Sequence, residues 1–299
     1  MLSFVPHVPT VAIVTDSTSD LPSELAAELG ITVVPLTLTL AGTSYRDGVD
    51  IGPDDFYRKL EHSGGVATTS QPPIGEFSEV YKRLLADHDQ VLSLHISSRL
   101  SGTVESARQA AEMAAGDRVT VVDTRVVSMA LGLAVLGAYR LVAAGTDAPE
   151  AARRTQQVVD GMKVYCMVDT LEYLHRGGRI GRAGALLGSM LQVKPVLAVQ
   201  GGEVVPLERV RTKERALKRI ITLAEEVSDS LCAIVGQAVA PESATRLVDA
   251  IAPRCETLME LPLGPTVGTH AGPGTVGLAC YPAALLPLEF GVRVAATRS

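Results

Sequence analysis

Between residues 11 and 123 the sequence repeats one arrangement: an apolar run too short for a helix, a polar or glycine turn, then a stretch of helical periodicity. VAIVTD from Val11 is followed by a helix capped near Ser19 to Pro22 and stopped at Gly30, and then by ITVVPLTLTL from Ile31. A helical pattern near Asp54 to Glu61, a polar loop from Ser63 to Pro73 and a helix up to His88 lead to QVLSLHI. A further helix from Gly102 leads to RVTVVD, ending at Asp123. Apolar strands alternating with helices are the grammar of βαβ units, whose parallel strands are covered on both faces. The chain is therefore predicted to be α/β, opening with a three-layer α/β/α parallel-sheet domain over residues 1–163. Two Ala-rich helices, about Val127 to Ala144 and Pro149 to Met162, complete it before the strand VYCMVD.

The pattern then changes. In KPVLAVQGGEVVPLERV, Gly201-Gly202 separates two strand-like runs, which predicts an antiparallel hairpin and so a mixed second sheet. An amphipathic helix from Lys213, the strand LCAIVGQAV, a helix from Glu242 and a glycine-rich segment from Gly264 to Gly277 follow. Residues 164–299 are thus expected to form a two-layer mixed-sheet α/β domain. With 46% hydrophobic residues, 4% aromatic and no tryptophan, the core must be built from Ala, Val, Leu and Ile, side chains that also suit the lining of an aliphatic cavity.

A net charge of -6 argues against general binding to nucleic acid or anionic membranes, leaving room for a transient membrane-surface contact. Cys166, Cys232, Cys255 and Cys280 are widely spaced, with no C-x-x-C pair, and read as buried thiols of a reducing cytosol, not as disulfides or zinc ligands. The opening MLSFVPHVPTVAIV has no basic segment and carries Pro6 and Pro9 where a signal helix would run, which points to a cytoplasmic protein.

Chemistry-bearing residues gather in three polar loops placed after strands or before helices, where open α/β sheets bind ligands. They are Thr68 to Pro72, Ser97 to Thr103 and Gly268 to Gly274. Ser101 sits at or beside the N-cap of the helix that begins near Gly102, a position suited to a carboxylate or phosphate, although simply capping its own helix is the commoner role. His270 stands among glycines, where a ligand can approach; a plain turn is the alternative. Gly272 to Gly277 spells G-x-G-x-x-G, but no helix fits before Pro282, and G-x-x-x-x-G-K-[ST] is absent, so no means of holding ATP is evident. A serine hydrolase using Ser98 or Ser101, His270 and one of Asp16, Asp123 or Asp169 is conceivable by composition but lacks a G-x-S-x-G elbow. Asp16 and Asp20 in TDSTSD read more cheaply as caps than as metal ligands. Arg176, Arg179 and Arg182, with Arg209, Arg211 and Lys213, supply local positive charge; Arg209 and Arg211 alternate on an expected strand and would share a face.

In order, and over almost the whole chain, VTDSTSDLP, the run ending in YRDGVDI, TTSQPP, HISSRLSGTVESA, VVDTRVVSMALG, LHRGGRIG, KPVL and GTHAGPG resemble the DegV family of bacterial proteins. That resemblance implies the two-domain fold described above, related to that of dihydroxyacetone-binding subunits. It also implies a long-chain fatty acid held in an interdomain apolar tunnel, no other cofactor, no metal and no catalytic residue. The protein would be a carrier and not an enzyme, presenting the acid to the ATP-binding subunit of a fatty acid kinase that forms the acyl phosphate. The family's carboxylate ligands fall on Thr69, Ser101 and His270, with Ser70, Ser98, Gly102 and Thr269 as neighbouring pocket candidates. Leu186, Leu187, Met190 and Leu191 are candidate tunnel residues, and Arg179, Arg209 and Arg211 candidates for kinase docking. Val104 stands where the family usually has an aromatic residue. The competing expectations are a serine esterase, a dihydroxyacetone-type phosphotransfer subunit and, against the acidic charge, a DNA-associated regulator.

Overall fold

The computed structural model describes residues 9–287 other than 65, 115 and 193; the side chains of 187–192 also lie outside the described residues, and with them those of Leu187, Met190 and Leu191. β1 (Val11–Asp16), α1 (Ser23–Glu28) and β2 (Ile31–Val34) open the chain, with a 3-10 turn at Ser17–Ser19 between β1 and α1. β3 (Thr37–Leu40), β4 (Thr43–Arg46), α2 (Pro53–His62), β5 (Ala67–Ser70) and α3 (Ile74–Asp87) follow. Next come β6 (Gln90–His95), α4 (Thr103–Ala114), β7 (Val119–Asp123), α5 (Met129–Ala143) and α6 (Ala148–Gly161).

β2, β1, β6 and β7 lie in that order in one parallel sheet. Strand alternation sends Ala12 and Val14 to a core shared with Phe77 and Tyr81 of α3 and Ala107 and Ala110 of α4, while Ile13 joins the residues of α5 and α6 on the opposite face. The three-layer α/β/α arrangement is therefore present.

The second half contains β8 (Lys163–Met167), α7 (Glu172–Arg176), a 3-10 stretch (Gly181–Gln192), β9 (Lys194–Gln200), β10 (Glu203–Val210) and α8 (Lys213–Glu225). It continues with β11 (Leu231–Gln237), α9 (Pro241–Ile251), β12 (Cys255–Pro262), α10 (Pro265–Ala271) and β13 (Val276–Pro282). The sheet order is β10-β9-β8-β13-β11-β12, with only β11 and β12 parallel. The expected β9–β10 hairpin turns at Gly201 and Gly202, whose φ values of 59° and 87° suit glycine. α8 and α9 cover one face of this mixed sheet. α5, apolar on nearly every side, packs between the two sheets, touching Ile13 and Leu92 of one and Ile234 and Ala279 of the other. Gly132 lets it do so, since a Cβ there would meet the Ser19 carbonyl at 2.6 Å.

Four local expectations are corrected. ITVVPLTLTL is not one strand: it breaks at Pro35, which has no N–H to donate to a ladder, and β2 and β3 belong to different sheets. The Ser63 to Pro73 segment is not all loop, because Ala67–Ser70 pairs with β3 in a small antiparallel sheet ordered β4-β3-β5. Thr269 and His270 stand in the helix α10 and not in a loop. Its first amides are taken by two carboxylates, half-buried Asp20 and buried Asp47, Gly264 N–H donating to Asp20 Oδ1 (3.0 Å) and Thr266 N–H to Asp47 Oδ2 (3.3 Å). Arg211 lies one residue past the end of β10 and does not alternate with Arg209 on a strand.

Candidate functional site

Four elements converge on one end of an apolar cavity of about 120 Å³ whose walls come from the mixed sheet, from the loops that follow the strands of the parallel sheet and from the start of α5. β5 contributes Thr69, which points inward while Thr68 and Ser70 point to solvent, as strand alternation requires. The β6–α4 connection contributes Leu100 and Ser101, α10 contributes His270, and the turn after α7 contributes Arg179. The remainder of the wall is largely aliphatic, including Leu36, Val164, Val168, Leu197 and Val199.

Thr69 Oγ1 and His270 Nε2 are 2.8 Å apart, a hydrogen bond that joins residues 201 positions apart in the chain. The other ring nitrogen, Nδ1, is buried with no hydrogen-bond partner. It faces Gly177, where a Cβ would come within 2.1 Å of it, so only glycine at that turn leaves room for the ring. Burial, and then the charge of Arg179, push the His270 pKa down to about 4, which makes the imidazole neutral at pH 7. Arg179 donates from Nε to Leu100 O (3.0 Å) and from Nη1 to Gly177 O (2.6 Å), tying the two turns that flank the histidine.

Ser101 caps the start of α4 and faces the cavity. Its Oγ accepts from the Thr103 N–H at 3.3 Å and lies 2.8 Å from Thr103 Oγ1, and the residue also lines the cavity. Gln71 sets the spacing between the Thr69 and Ser101 segments: its side chain lies directly over Gly102, whose Cβ would meet Gln71 Oε1 at 2.0 Å, and its Nε2 donates to Ser106 Oγ (2.9 Å). Gly102 is thus a contact surface beside the cavity and not part of its lining.

Ser70, Ser98 and Thr269 do not line the cavity either. Ser70 is exposed, Ser98 donates from Oγ to Asp123 Oδ2 (2.5 Å), and the Thr269 hydroxyl is spent within α10 on Pro265 O (2.9 Å). Arg209 and Arg211 are exposed and outside the lining, so Arg179 is the one expected docking arginine brought to the cavity. Leu186 is buried in an aliphatic cluster with Val168, Leu174 and Leu197. The hydrolase arrangement is not assembled among the described residues: Ser98 is bonded to Asp123, Ser101 to Thr103, and no carboxylate orients His270.

Thr18, Ser128 and Thr266 also line the cavity and were not anticipated. Thr18 lies in TDSTSD, whose aspartates organise the turns around it, and Ser128 is tied to the same segment through Asp20. Asp16 caps the 3-10 turn, accepting from Thr18 N–H (3.1 Å) and Thr18 Oγ1 (2.5 Å), and meets His95 Nδ1 (2.9 Å) and the Ile96 N–H (3.1 Å) through its other oxygen. His95 Nε2 continues to Ser93 Oγ (2.7 Å) and on to the Tyr81 hydroxyl (2.9 Å). Asp20 accepts from Ser128 Oγ (2.5 Å) and the start of α10. Burial, chiefly, holds the Asp20 pKa well above the usual carboxylate range and lifts that of Asp47 to about 6. Ser128 has φ 60° and ψ -137°, a backbone state unfavourable for a residue with a side chain, at the N-terminus of α5 and on the cavity wall.

The arrangement can hold an acceptor-rich head group against two hydroxyls and a neutral imidazole near a guanidinium, with an aliphatic chain in the greasy remainder. Comparison with known proteins identifies the family. A family model described as "Uncharacterised protein, DegV family" matches residues 10–283. A "DegV domain-containing protein" of Deinococcus radiodurans is 41% identical over 281 residues, covering 91% of this chain and 99% of the relative. Among solved structures, a DegV family protein of Thermus thermophilus described for its fatty acid binding is 38% identical with a TM-score of 0.87, covering 91% of this chain and 99% of that one. DegV of Bacillus subtilis, described as a fatty acid binding protein, is 32% identical with a TM-score of 0.84 over the same shares of the two chains.

Proposed function

The chain belongs to the DegV family, and on that premise we propose that it is a fatty-acid carrier. One long-chain acid lies in the apolar cavity between the two α/β units, divided at residues 163 and 164, with its carboxylate against Thr69, Ser101 and His270. The observation that carries this reading is the convergence of those three side chains and Arg179 at one end of an otherwise aliphatic cavity. Two relatives of 38% and 32% identity described as fatty acid binding support the same ligand class.

The energetics fit the assignment. Each methylene withdrawn from water contributes about 0.8 kcal/mol, so the chain supplies most of the affinity. The head group supplies orientation, since a carboxylate has only acceptors to offer and two hydroxyls and one imidazole N–H can all donate. Arg179 balances the anion's charge from beside the site, and an anion against His270 opposes the desolvation that disfavours its protonation.

The role then follows as presentation. The carboxylate is handed to a partner fatty acid kinase, which supplies ATP and forms the acyl phosphate; exposed Arg209 and Arg211, with Arg179, are the docking candidates. We place this exchange in the bacterial cytoplasm, upstream of phospholipid synthesis. Two measurements test the proposal together: calorimetric titration with palmitate, and detection of acyl phosphate when the loaded protein is mixed with a fatty acid kinase subunit and ATP. Tight stoichiometric binding followed by acyl phosphate supports it; binding without acyl phosphate would confine the protein to storage or transport; absence of binding would remove the carrier reading altogether.

A further inference from the structure

The cavity does not end in a closed wall. At the end remote from His270 it abuts a second cavity of about 320 Å³, and the two share Val164 and Val199 as lining residues. The β8–β9 ladder pairs Tyr165 with Ala198 and Cys166 with Leu197, and Val164 and Val199 are the residues one step beyond its last pair, facing each other if the register continues. Both valines line both spaces, so their side chains stand where one cavity passes into the other.

The direction of a bound chain is set by β8. At its Met167 end the strand leads into α7 and the turn of Gly177 and Arg179, beside His270. Val168, Cys166 and Val164 then line the cavity at every second residue, a track of roughly 13 Å at about 3.3 Å per residue. A chain anchored at His270 and laid along this track arrives at the Val164–Val199 pair. Beyond it the second cavity offers Val126, Val159 and Met162 on one side, while Arg125, Gln156, Asp160, Lys163 and Gln200 make the rest of its lining polar and partly exposed. Gln156 is held there by a hydrogen bond from Nε2 to Asp160 Oδ1 (2.9 Å).

We propose that the second cavity is the subsite for the distal end of long acyl chains, and that Val164 and Val199 are the gate that sets chain-length preference. The inference rests on the carrier reading above and adds to it a place for the tail. Short acids end before the gate; long saturated or unsaturated acids pass between the valines and finish against Val159 and Met162.

The test measures affinities for palmitate and decanoate in the wild type, Val199→Phe, Val199→Ala and Gln156→Trp, the last a residue that lines only the second cavity. The palmitate-to-decanoate affinity ratio should fall by about tenfold or more in Val199→Phe and Gln156→Trp and hold or rise in Val199→Ala. A palmitate analogue carrying a photoreactive group at its terminal carbon should label the peptide containing Val159 and Met162. A length ratio unchanged in every variant, with labelling elsewhere, overturns the gate while leaving fatty acid binding intact. A wild type that binds neither acid overturns the carrier reading itself. Should Val199→Phe fold poorly, Gln156→Trp and the photolabel on wild-type protein decide the matter.

Discussion

His95 and His270 are both imidazoles withdrawn from water and bonded to a hydroxyl, yet the surroundings of the two rings differ in kind. His95 has both nitrogens engaged, one by Asp16 and one by Ser93, in a chain that runs on to Tyr81 in the interior of the parallel sheet. His270 has one nitrogen on Thr69 and the other buried without a partner. A fully bonded buried polar chain holds a fold in one arrangement; the His270 Nε2–Thr69 pair stands instead on the cavity wall, where a ligand can join or replace its single bond, while Nδ1 is shut against Gly177. The Asp-His-Ser order occurs in this protein at Asp16, His95 and Ser93, where all three side chains are fully buried, and its role there is architectural.

The contrast is open to direct attack. Asp16→Ala should have the largest effect, because it strips His95, Ile96 and Thr18 of their acceptor at once. Breaking a buried pair of this sort costs on the order of 3–5 kcal/mol, read as a fall in the denaturation midpoint. A variant as stable as the parent would remove the architectural role assigned to this network. His270→Ala should do the reverse, weakening fatty acid binding by about 10- to 100-fold, the value of one hydrogen bond to a charged group, with little change in the denaturation midpoint. If stability collapses instead, the two histidines are of one kind and the distinction fails.

Gly102→Ala probes the seam between the regions. Its methyl collides with the Gln71 side chain, and overpacking costs typically about 1–3 kcal/mol. Gln71→Ala in the same chain should recover part of the loss, as measured by a double-mutant cycle.

The pH-dependent effects are the last, and they have opposite signs. The folded pKa of His270, about 4, lies below its unfolded value, so its contribution is present above about pH 6.5 and is lost as pH falls toward 4. Asp47, raised to about 6, contributes stability that is present below about pH 4 and is lost as pH rises through 6. Stability measured against pH for His270→Asn and Asp47→Asn, each subtracted from wild type, should therefore slope in opposite directions between pH 4 and 6.5. Parallel slopes would show that one of the two groups does not sit in the environment described.

The sheets and most helices were legible in the sequence because hydrophobic period and punctuation agree there. Val11–Asp16, Gln90–His95 and the Gly201-Gly202 hairpin all follow from local pattern. α10 was not legible, since Gly264, Gly268 and Gly272 argue for a loop. What makes it a helix is remote: carboxylates from Asp20 and Asp47 hold its first turn, and Tyr57 and Phe56 press on Gly268 so closely that a Cβ would sit 2.5 Å from the Tyr57 hydroxyl. The small β4-β3-β5 sheet escaped for a similar reason. Its strands are four residues each, too short for alternation to stand out from a polar loop.

Thr69, Ser101 and His270 were identified by motif resemblance and by their place beside strand ends and helix starts, and the fold brings them together. Gln71 over Gly102, Gly177 beside His270 and the roles of Thr18 and Ser128 depend on contacts between segments far apart in the chain, which no local pattern carries. Arg209 and Arg211 show the converse: expected to share a role with Arg179, they are exposed and outside the cavity lining, which of these three arginines holds Arg179 alone.

The most direct test of the central claim is native mass spectrometry of the protein as purified from a bacterial host, followed by denaturation and identification of the molecules released. The account predicts one fatty acid per chain, absent from a folded Thr69→Ala, Ser101→Ala, His270→Ala triple variant. A wild-type protein that carries none and takes up none when palmitate is added would contradict it.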